Sequence, residues 1–349
     1  MKIRLILSKT YHGTKSFFAN VLPRFFVGSA LTSSVYYMLF SSKFRREERA
    51  VLAGKVKHLS ESKDNKANIY TLVRNVHRIE KGLLMKPRRD VFALDFIGET
   101  IDNFKNLYNT SDCTPHSQLK WAKDVLKEYF NSTGGHPIID KERIRFDEMV
   151  GSFQNYLPTS IPYHRIESNK PNISYEDFYK LTKYRRSVRW FLNKSVPHDL
   201  IDKAILAASQ SPSACNRQPF EYRIIDEPKL LDKVRNIPMG LKGYQHNIPL
   251  MIVIVGNLDA YFDERDRHVI YIDASLANMA LILALETLGL SSCCVNWPDI
   301  ESLEVRMDKA LSLAKYQRPI MSIAVGYPDP DGMVAYSEKK DIELIRKYN

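Results

Sequence analysis

Stretches of helical periodicity and short apolar runs succeed one another along the chain. Residues 44–60 and 66–84 carry the first two helical patterns. In the second, Ile69, Leu72, Val73, Val76, Ile79 and Leu83 recur at three- and four-residue steps, which places them on one helix face. Asn68 or Asn65 is the candidate cap. Residues 91–108 and 117–130 predict two more helices. Asp112-Cys113-Thr114-Pro115 forms a turn between them, and Ser132-Thr133-Gly134-Gly135 closes the second. Regularity lapses from 151 to 175, where Pro158, Pro162 and Pro171 mark a linker. Beyond it, 175–184 and 197–209 read as helices, and 221–225, 250–255, 293–297 and 320–325 as strands. Residues 250–255 are almost uninterrupted apolar side chains, the pattern of a strand buried on both faces. Residues 272–288 are apolar almost all round and predict a buried helix closed by Gly289. Asp273, Asn278 and Glu286 inside it argue against a membrane span. No internal repeat is visible.

The length of 349 residues sets a prior of about two domains. At 44% apolar and 26% charged, the composition excludes a mostly disordered chain, a collagen-like repeat and a disulfide scaffold. The pattern divides the chain into an arm (1–57), a helical extension (58–150), a linker (151–174) and a C-terminal domain (175–349). Charge sharpens that division. Residues 1–57 hold 11 Lys+Arg against 2 Asp+Glu, whereas 171–349 hold 23 of each. A neutral C-terminal domain argues against nucleic acid as a partner. A basic arm suits an anionic membrane surface.

Residues 25–42 of that arm contain no charge, and Lys43, Arg45, Arg46 and Arg49 follow. Phe17, Phe18, Val21 and Leu22 precede the run. Eighteen residues diluted by Ser, Thr and Gly barely reach the length of a span. Three arrangements fit: a helix lying in the headgroup zone, a single span, and an arm packed on protein. Lys2, Arg4, Lys9 and Lys15 ahead of the run weaken the charge asymmetry that would orient a span. Cys113, Cys215, Cys293 and Cys294 form no C-x-x-C pair, so they read as reduced thiols of a cytosolic protein, peripheral at the inner face of a membrane. His77 and Glu80, one turn apart, suit a solvated or locally paired face better than metal or acid–base work.

The chemistry concentrates after the linker. Arg185, Arg186, Ser187 and Arg189 put three guanidinium forks and a hydroxyl within five residues, a group suited to phosphate oxygens. The segment 211–220, Ser-Pro-Ser-Ala-Cys-Asn-Arg-Gln-Pro-Phe, is a polar loop between a helix and a strand, where a planar polar ligand could be gripped. No G-x-G-x-x-G, G-x-S-x-G or Walker loop occurs.

These motifs, with Asp273 and Asn278 before a Gly-Leu stop and a final Gly326-Tyr327-Pro328, resemble the nitroreductase family in order and spacing. The resemblance covers about 175 residues, from Tyr175 to the C-terminus. It implies an α+β nitroreductase-like fold, a central mixed sheet flanked by helices, preceded here by a mostly helical extension. It also implies FMN as cofactor, NADH or NADPH as co-substrate, and a homodimer with flavin sites at the subunit interface, packed through 272–288. Arg185, Arg186, Ser187 and Arg189 match the segment holding the phosphate, ribityl chain and pyrimidine edge, with Arg189 near flavin N1 and O2. Pro212, Ser213, Asn216 and Gln218 match the loop against the ring, part of which reaches the other subunit's flavin. Asn296 and Trp297 fall near N5. Lys339, with Lys340, stands where a basic residue meets the phosphate. A glycine is common at the position of Trp297, and the indole is expected to narrow the pocket or cover the flavin. Residues 78–83 (Arg-Ile-Glu-Lys-Gly-Leu) resemble a bacterial subgroup linked with polysaccharide clusters. The implied activity is hydride transfer from NAD(P)H to a nitro, quinone or biosynthetic acceptor. The alternative is a flavin-free interaction protein docked at a membrane.

Overall fold

A computed structural model describes residues 21–63, 68–109, 116–151 and 157–349. The expectations for Lys2, Arg4, Lys9, Lys15, Phe17, Phe18, Asn65, Cys113 and the turn 112–115 lie outside the described residues. The N-terminal half is helical: α1 (Leu22–Phe26), α2 (Ala30–Leu39), α3 (Arg45–Lys63), α4 (Ile69–Leu83), α5 (Ile97–Asn109), α6 (His116–Ser132) and α7 (Pro137–Val150). The C-terminal half mixes α8 (Tyr175–Tyr184), α9 (His198–Ala208), β1 (Phe220–Ile225), α10 (Pro228–Arg235), β2 (Leu250–Asn257), α11 (Val269–Thr287), β3 (Ser291–Asn296), α12 (Glu301–Leu311), β4 (Gln317–Gly326) and α13 (Ile342–Ile345).

The uncharged run of the arm does not form one helix. Ser29 caps α2 through Thr32 and breaks the run after α1. Ten residues of α2 rise only about 15 Å, half the depth of a bilayer core. Its apolar side chains face outward: Phe25, Val27, Leu31 and Met38 are 73, 75, 75 and 63% exposed.

The expected boundary at residue 57 is corrected by α3, which runs across it and packs on the C-terminal half. Ala50 is buried in the same cluster as Ile252 of β2 and Ala274 of α11. Arg46 forks onto Glu301 (2.7 and 2.8 Å) and reaches Asp308 at 2.6 Å. Lys57 pairs with Asp259. At Gly54 a Cβ would lie 2.5 Å from the backbone of Leu258, so only glycine allows this approach. His58, 3% exposed, donates from Nδ1 to the carbonyl of Asp259 (2.8 Å), and its Nε2 accepts from Thr71 (3.3 Å).

Helices α4 to α7 enclose their own core, from Leu72 and Ile79 through Phe104 and Leu126 to Phe146. The side chain of Asn68 accepts from Thr71 N and caps α4. His77 lies 3.9 Å from Glu80, which also accepts from Trp121 Nε1 at 3.2 Å, so the pair is a local contact. Two expectations shift here. The helix expected over 91–108 begins only at Ile97. Helix α7, unmarked in the sequence, buries Ile139, Glu142, Phe146 and Val150, and the Glu interrupts its apolar stripe.

The sheet runs β1-β2-β4-β3, and every one of these pairings is antiparallel. The expected mixed sheet is therefore corrected: parallel pairing is confined to one bridge between Ser187 and Ser292. All eight residues of β2 are buried, as its composition predicts. Leu250, Ile252 and Ile254 face α9 and α11, while Met251, Val253 and Val255 face Leu231 and Val234 of α10 and Met307 of α12. Each such side chain contributes roughly 1.5–3 kcal/mol by leaving water. Helix α11 is not buried all round. Ile272, Leu276 and Met279 are 57, 46 and 43% exposed and form one stripe.

Burial, and then the charges of Arg74 and Arg217, hold the pKa of His58 below its ordinary value. The unfolded chain binds this proton more readily, so the contribution to stability is present above about pH 6.5 and lost as pH falls below it. Thermal melts from pH 7.5 to 5.5 are expected to show this loss. His58→Gln is expected to flatten the slope, leaving the part due to His77, which burial also lowers. An unchanged slope would remove His58 as its source.

Candidate functional site

Two groups of predicted side chains stand at the two ends of α11. The first follows α8. Residues after Tyr184 run extended beside β3, where Val188 N donates to Ser292 O at 3.1 Å. Asn247, unmarked in the sequence, fixes the segment: its Oδ1 accepts from Phe191 N (2.9 Å) and its Nδ2 donates to Arg189 O (3.1 Å). Among the described residues, Arg185, Arg186 and Arg189 form no ion pair with a carboxylate. Arg185 Nε is buried without a hydrogen-bond partner. By contrast, Arg223, Arg235 and Arg318 of the same half are each held by a carboxylate. Arg189 donates from Nη1 to Ser187 O (3.2 Å) and lies 6.0 Å from the ring centre of Tyr244.

Close by, burial pushes the Glu286 carboxyl up, with Ser291 and Arg185 pulling it back. A cavity of about 250 Å³ adjoins the segment, lined by Arg186, Val188, Glu286, Ser291 and Pro328 among others. The C-terminal tail passes nearby. The Lys339 N–H donates to Glu338 Oε1 at 2.8 Å. That bond, and further the charge of Arg186, hold the Glu338 carboxyl down. The Lys339 residue is exposed.

The second group is the loop 211–218. Asp273, 3% exposed on α11, accepts from Ser213 Oγ (2.7 Å) and from Ala214 N (2.9 Å). Ser213 Oγ in turn accepts from Gln218 N (2.8 Å), and Gln218 Nε2 donates to Asn216 Oδ1 (3.1 Å). Cys215, Asn216 and Gln218 hold left-handed φ values of 54, 55 and 48°. Such backbones cost on the order of 1 kcal/mol each, and the Asp273 clamp offsets them. Pro212 is exposed at the loop's edge. The sequence marks Asp273 within a motif but not as this clamp.

Asn296 ends β3 with its side chain exposed, opposite Met321. The expectation for Trp297 is corrected. Its indole is 8% exposed inside the core between the sheet and helices α10 and α12, and its Nε1–H donates to buried Glu304 at 2.6 Å. Glu304 lies 3.5 Å from Arg318, which also pairs with Asp299. This ring is anchored away from solvent, with its N–H taken by Glu304.

Glu286 stands 13 residues after Asp273, so the two groups lie about 20 Å apart along α11. Within one chain they do not meet.

Residues 182–327 match the Nitroreductase family. The C-terminal half is a nitroreductase-family domain. Iodotyrosine deiodinase 1 of Pongo abelii is 25% identical over 197 residues, 48% of this chain and 67% of that protein. A Methanothermobacter thermautotrophicus protein, provisionally named NADH dehydrogenase/NAD(P)H nitroreductase, is 28% identical over 160 residues, 45% of this chain and 80% of that one. Among solved structures, an FMN-dependent nitroreductase from Clostridium difficile aligns with a TM-score of 0.41 at 23% identity, covering 48% of this chain and 98% of that one. The nitroreductase domain is thus an oxidoreductase domain, and the family match does not include the helical half or residues 78–83.

Proposed function

We propose that this protein is an FMN-dependent oxidoreductase that draws on NADH or NADPH and reduces a small electron-poor acceptor, aromatic in character. The observation that carries this reading is the group Arg185, Arg186 and Arg189, three guanidinium groups without a carboxylate partner among the described residues. Like charges set within five residues of one another along the chain repel, and an anion bound beside them relieves that cost. The phosphate of FMN fits their forks and the Ser187 hydroxyl. When bound, FMN supplies the hydride chemistry, and the protein's task is to hold it and set its charge. Arg189, at the outer end of the segment, favours negative charge near the pyrimidine edge. Asn247 orients the Arg189 backbone, and β3 fixes Ser187. The names of the relatives, deiodinase and nitroreductase, support an aromatic acceptor. A visible spectrum of the purified protein, with the supernatant after heating run against FMN, tests the cofactor. A colourless protein that takes up no FMN would favour the flavin-free interaction protein. Arg189→Ala is expected to weaken FMN retention on the order of 10–100-fold, the loss of a charge-assisted contact. Unchanged flavin content and an unchanged rate of reduction by NAD(P)H would remove that role.

The 20 Å separation supports a homodimer. A second copy packed antiparallel along Ile272, Leu276 and Met279 brings its 211–218 loop toward the first copy's arginine segment, completing a site that one chain splits. The apolar stripe would leave water at the same time. Leu276→Glu with Met279→Glu is expected to yield a monomer by light scattering and to release the flavin. A stable dimer with flavin retained would place the interface elsewhere.

The arm supports docking to an anionic membrane surface. Phe25, Val27, Leu31 and Met38 are exposed, and Arg24, Lys43 and Arg45 flank them without an acidic residue between 21 and 46. Removing residues 1–43, which leaves α3 whole, is expected to release the protein from vesicles containing phosphatidylserine without loss of flavin. Unchanged sedimentation would end the membrane reading.

A further inference from the structure

A cavity of about 730 Å³ lies where the helical unit meets the nitroreductase domain. That volume is in the range of small-molecule sites. Tyr70 and Val73 of α4 and Gln118 of α6 wall one side; Asn216, Arg217 and Tyr222 wall the other. The family match assigns no role to this junction, because α4 and α6 lie outside it.

Two buried polar groups on this wall lack partners. Among the described residues, Arg217, 7% exposed, forms no ion pair, and its Nε has no hydrogen-bond partner. Its guanidinium stacks 4.8 Å from the ring centre of Tyr261, a contact that leaves its charge uncompensated. The Tyr222 hydroxyl is likewise buried without a partner, and burial pushes its pKa up, so it remains a donor. Of the surrounding acids, Asp273 accepts from Ser213 and Ala214, Asp259 pairs with Lys57 through Oδ2 while its Oδ1 is buried without a partner among the described residues, and Glu99 accepts from Asn75 and Arg74. Arg74 adds a second cation near Arg217, and burial, then the charge of Arg217 among others, holds the Arg74 guanidinium pKa below its ordinary value. A buried guanidinium without a counter-charge is costly, by several kcal/mol in typical cases. An anion in the cavity relieves that cost. The remaining wall is apolar or aromatic, with Ile69, Val73, Ile205 and Phe220 beside the two tyrosines.

We infer that this cavity binds an aromatic carboxylate, its acid group paired with Arg217 and its ring between Tyr70, Val73 and Tyr222. A single buried cation matches one carboxylate, and the apolar walls match a ring. The site stands apart from the Arg185–Arg189 segment, and its wall shares Asn216 and Gln218 with the loop that the proposed dimer carries toward the other copy's flavin. It joins the helical unit to the loop that carries Asn216, so its occupant contacts both halves of the chain. The helical extension, in this arrangement, is a wall of a binding site.

The test uses the full-length protein and two probes of one shape, 2-naphthoate and its neutral analogue 2-naphthamide, by isothermal titration calorimetry. Naphthoate is expected to bind at least about tenfold more tightly than the amide, the worth of one charge-assisted contact. Arg217→Met is expected to erase that preference. Val73→Trp, which leaves Arg217 in place and fills the cavity, is expected to weaken both probes. The second variant and the acid-to-amide ratio decide the matter should Arg217→Met fail to fold. Equal affinity for acid and amide, or naphthoate binding unchanged by Val73→Trp, would overturn the inference. Flavin absorbance read on the same samples reports separately on the cofactor: its absence would sink the FMN reading and leave the naphthoate result standing.

Discussion

Because an α-helix rises a fixed 1.5 Å per residue, α11 sets the distance between the two halves of the candidate site. Its buried side packs against β2 and α9 through Ala274, Ala277 and Leu281, so the helix cannot slide to shorten that distance. Asp273 near one end gathers the 211–218 loop, and Glu286 near the other lies beside the arginine segment. A buried carboxylate requires donors, and the loop supplies them from Ser213 and Ala214. The left-handed residues of the loop persist because this clamp outweighs their cost. What the helix separates within one chain, a two-fold copy along its exposed stripe would join. Site assembly and the covering of apolar surface thus follow from the same geometry.

The helical half is tied to the nitroreductase domain by polar contacts as well as by packing. Arg46 holds α12 through Glu301 and Asp308, while Lys57 and His58 hold the turn after β2. The contacts to Asp308 and Asp259 are partly or wholly shielded, which gives them more weight than the exposed Arg46–Glu301 pair. His58 in particular bridges the two halves, donating to Asp259 O on one side and meeting the Thr71 hydroxyl on the other. Helix α4 then rests against the Ala214–Asn216 turn. The loop is therefore held from below by Asp273 and from the side by the extension.

The sequence revealed most where one rule acted alone. Leu250–Asn257 is apolar at nearly every position, and no arrangement but a fully buried strand satisfies it. Ile69–Leu83 has a single apolar face and an Asn at its start, and both matched. Legibility failed where tertiary partners decide. The stripe of α7 includes Glu142, which is satisfied in the fold by Arg145 from the next turn, so the pattern looked broken. The boundary at 57 followed a change in charge, yet Arg46 and Lys57 are basic because acids of the distant half face them. A run of 18 uncharged residues read as one segment, but the Ser29 cap splits it. The family resemblance places Trp297 at the pocket, and its size suggests a cover. A carboxylate seven residues later in the chain, Glu304, draws its indole inward, and periodicity carries no trace of such a contact.

The same comparison separates the arginines by purpose. In a neutral domain, electrostatics alone would pair each guanidinium with an acid, and Arg318 with Asp299 and Glu304 shows how a buried one is normally accommodated. Arg185, Arg186 and Arg189 depart from this pattern together at one end of α11, and at the other Arg217 departs from it while buried. A cluster of forks on an extended, solvent-accessible segment suits a multiply charged group with several oxygens. A lone desolvated guanidinium against aromatic walls suits a single acid on a ring. The difference in number, burial and neighbours assigns the two places to two different anions, although both arise from one physical fact, a cation that the chain itself leaves without a counter-charge.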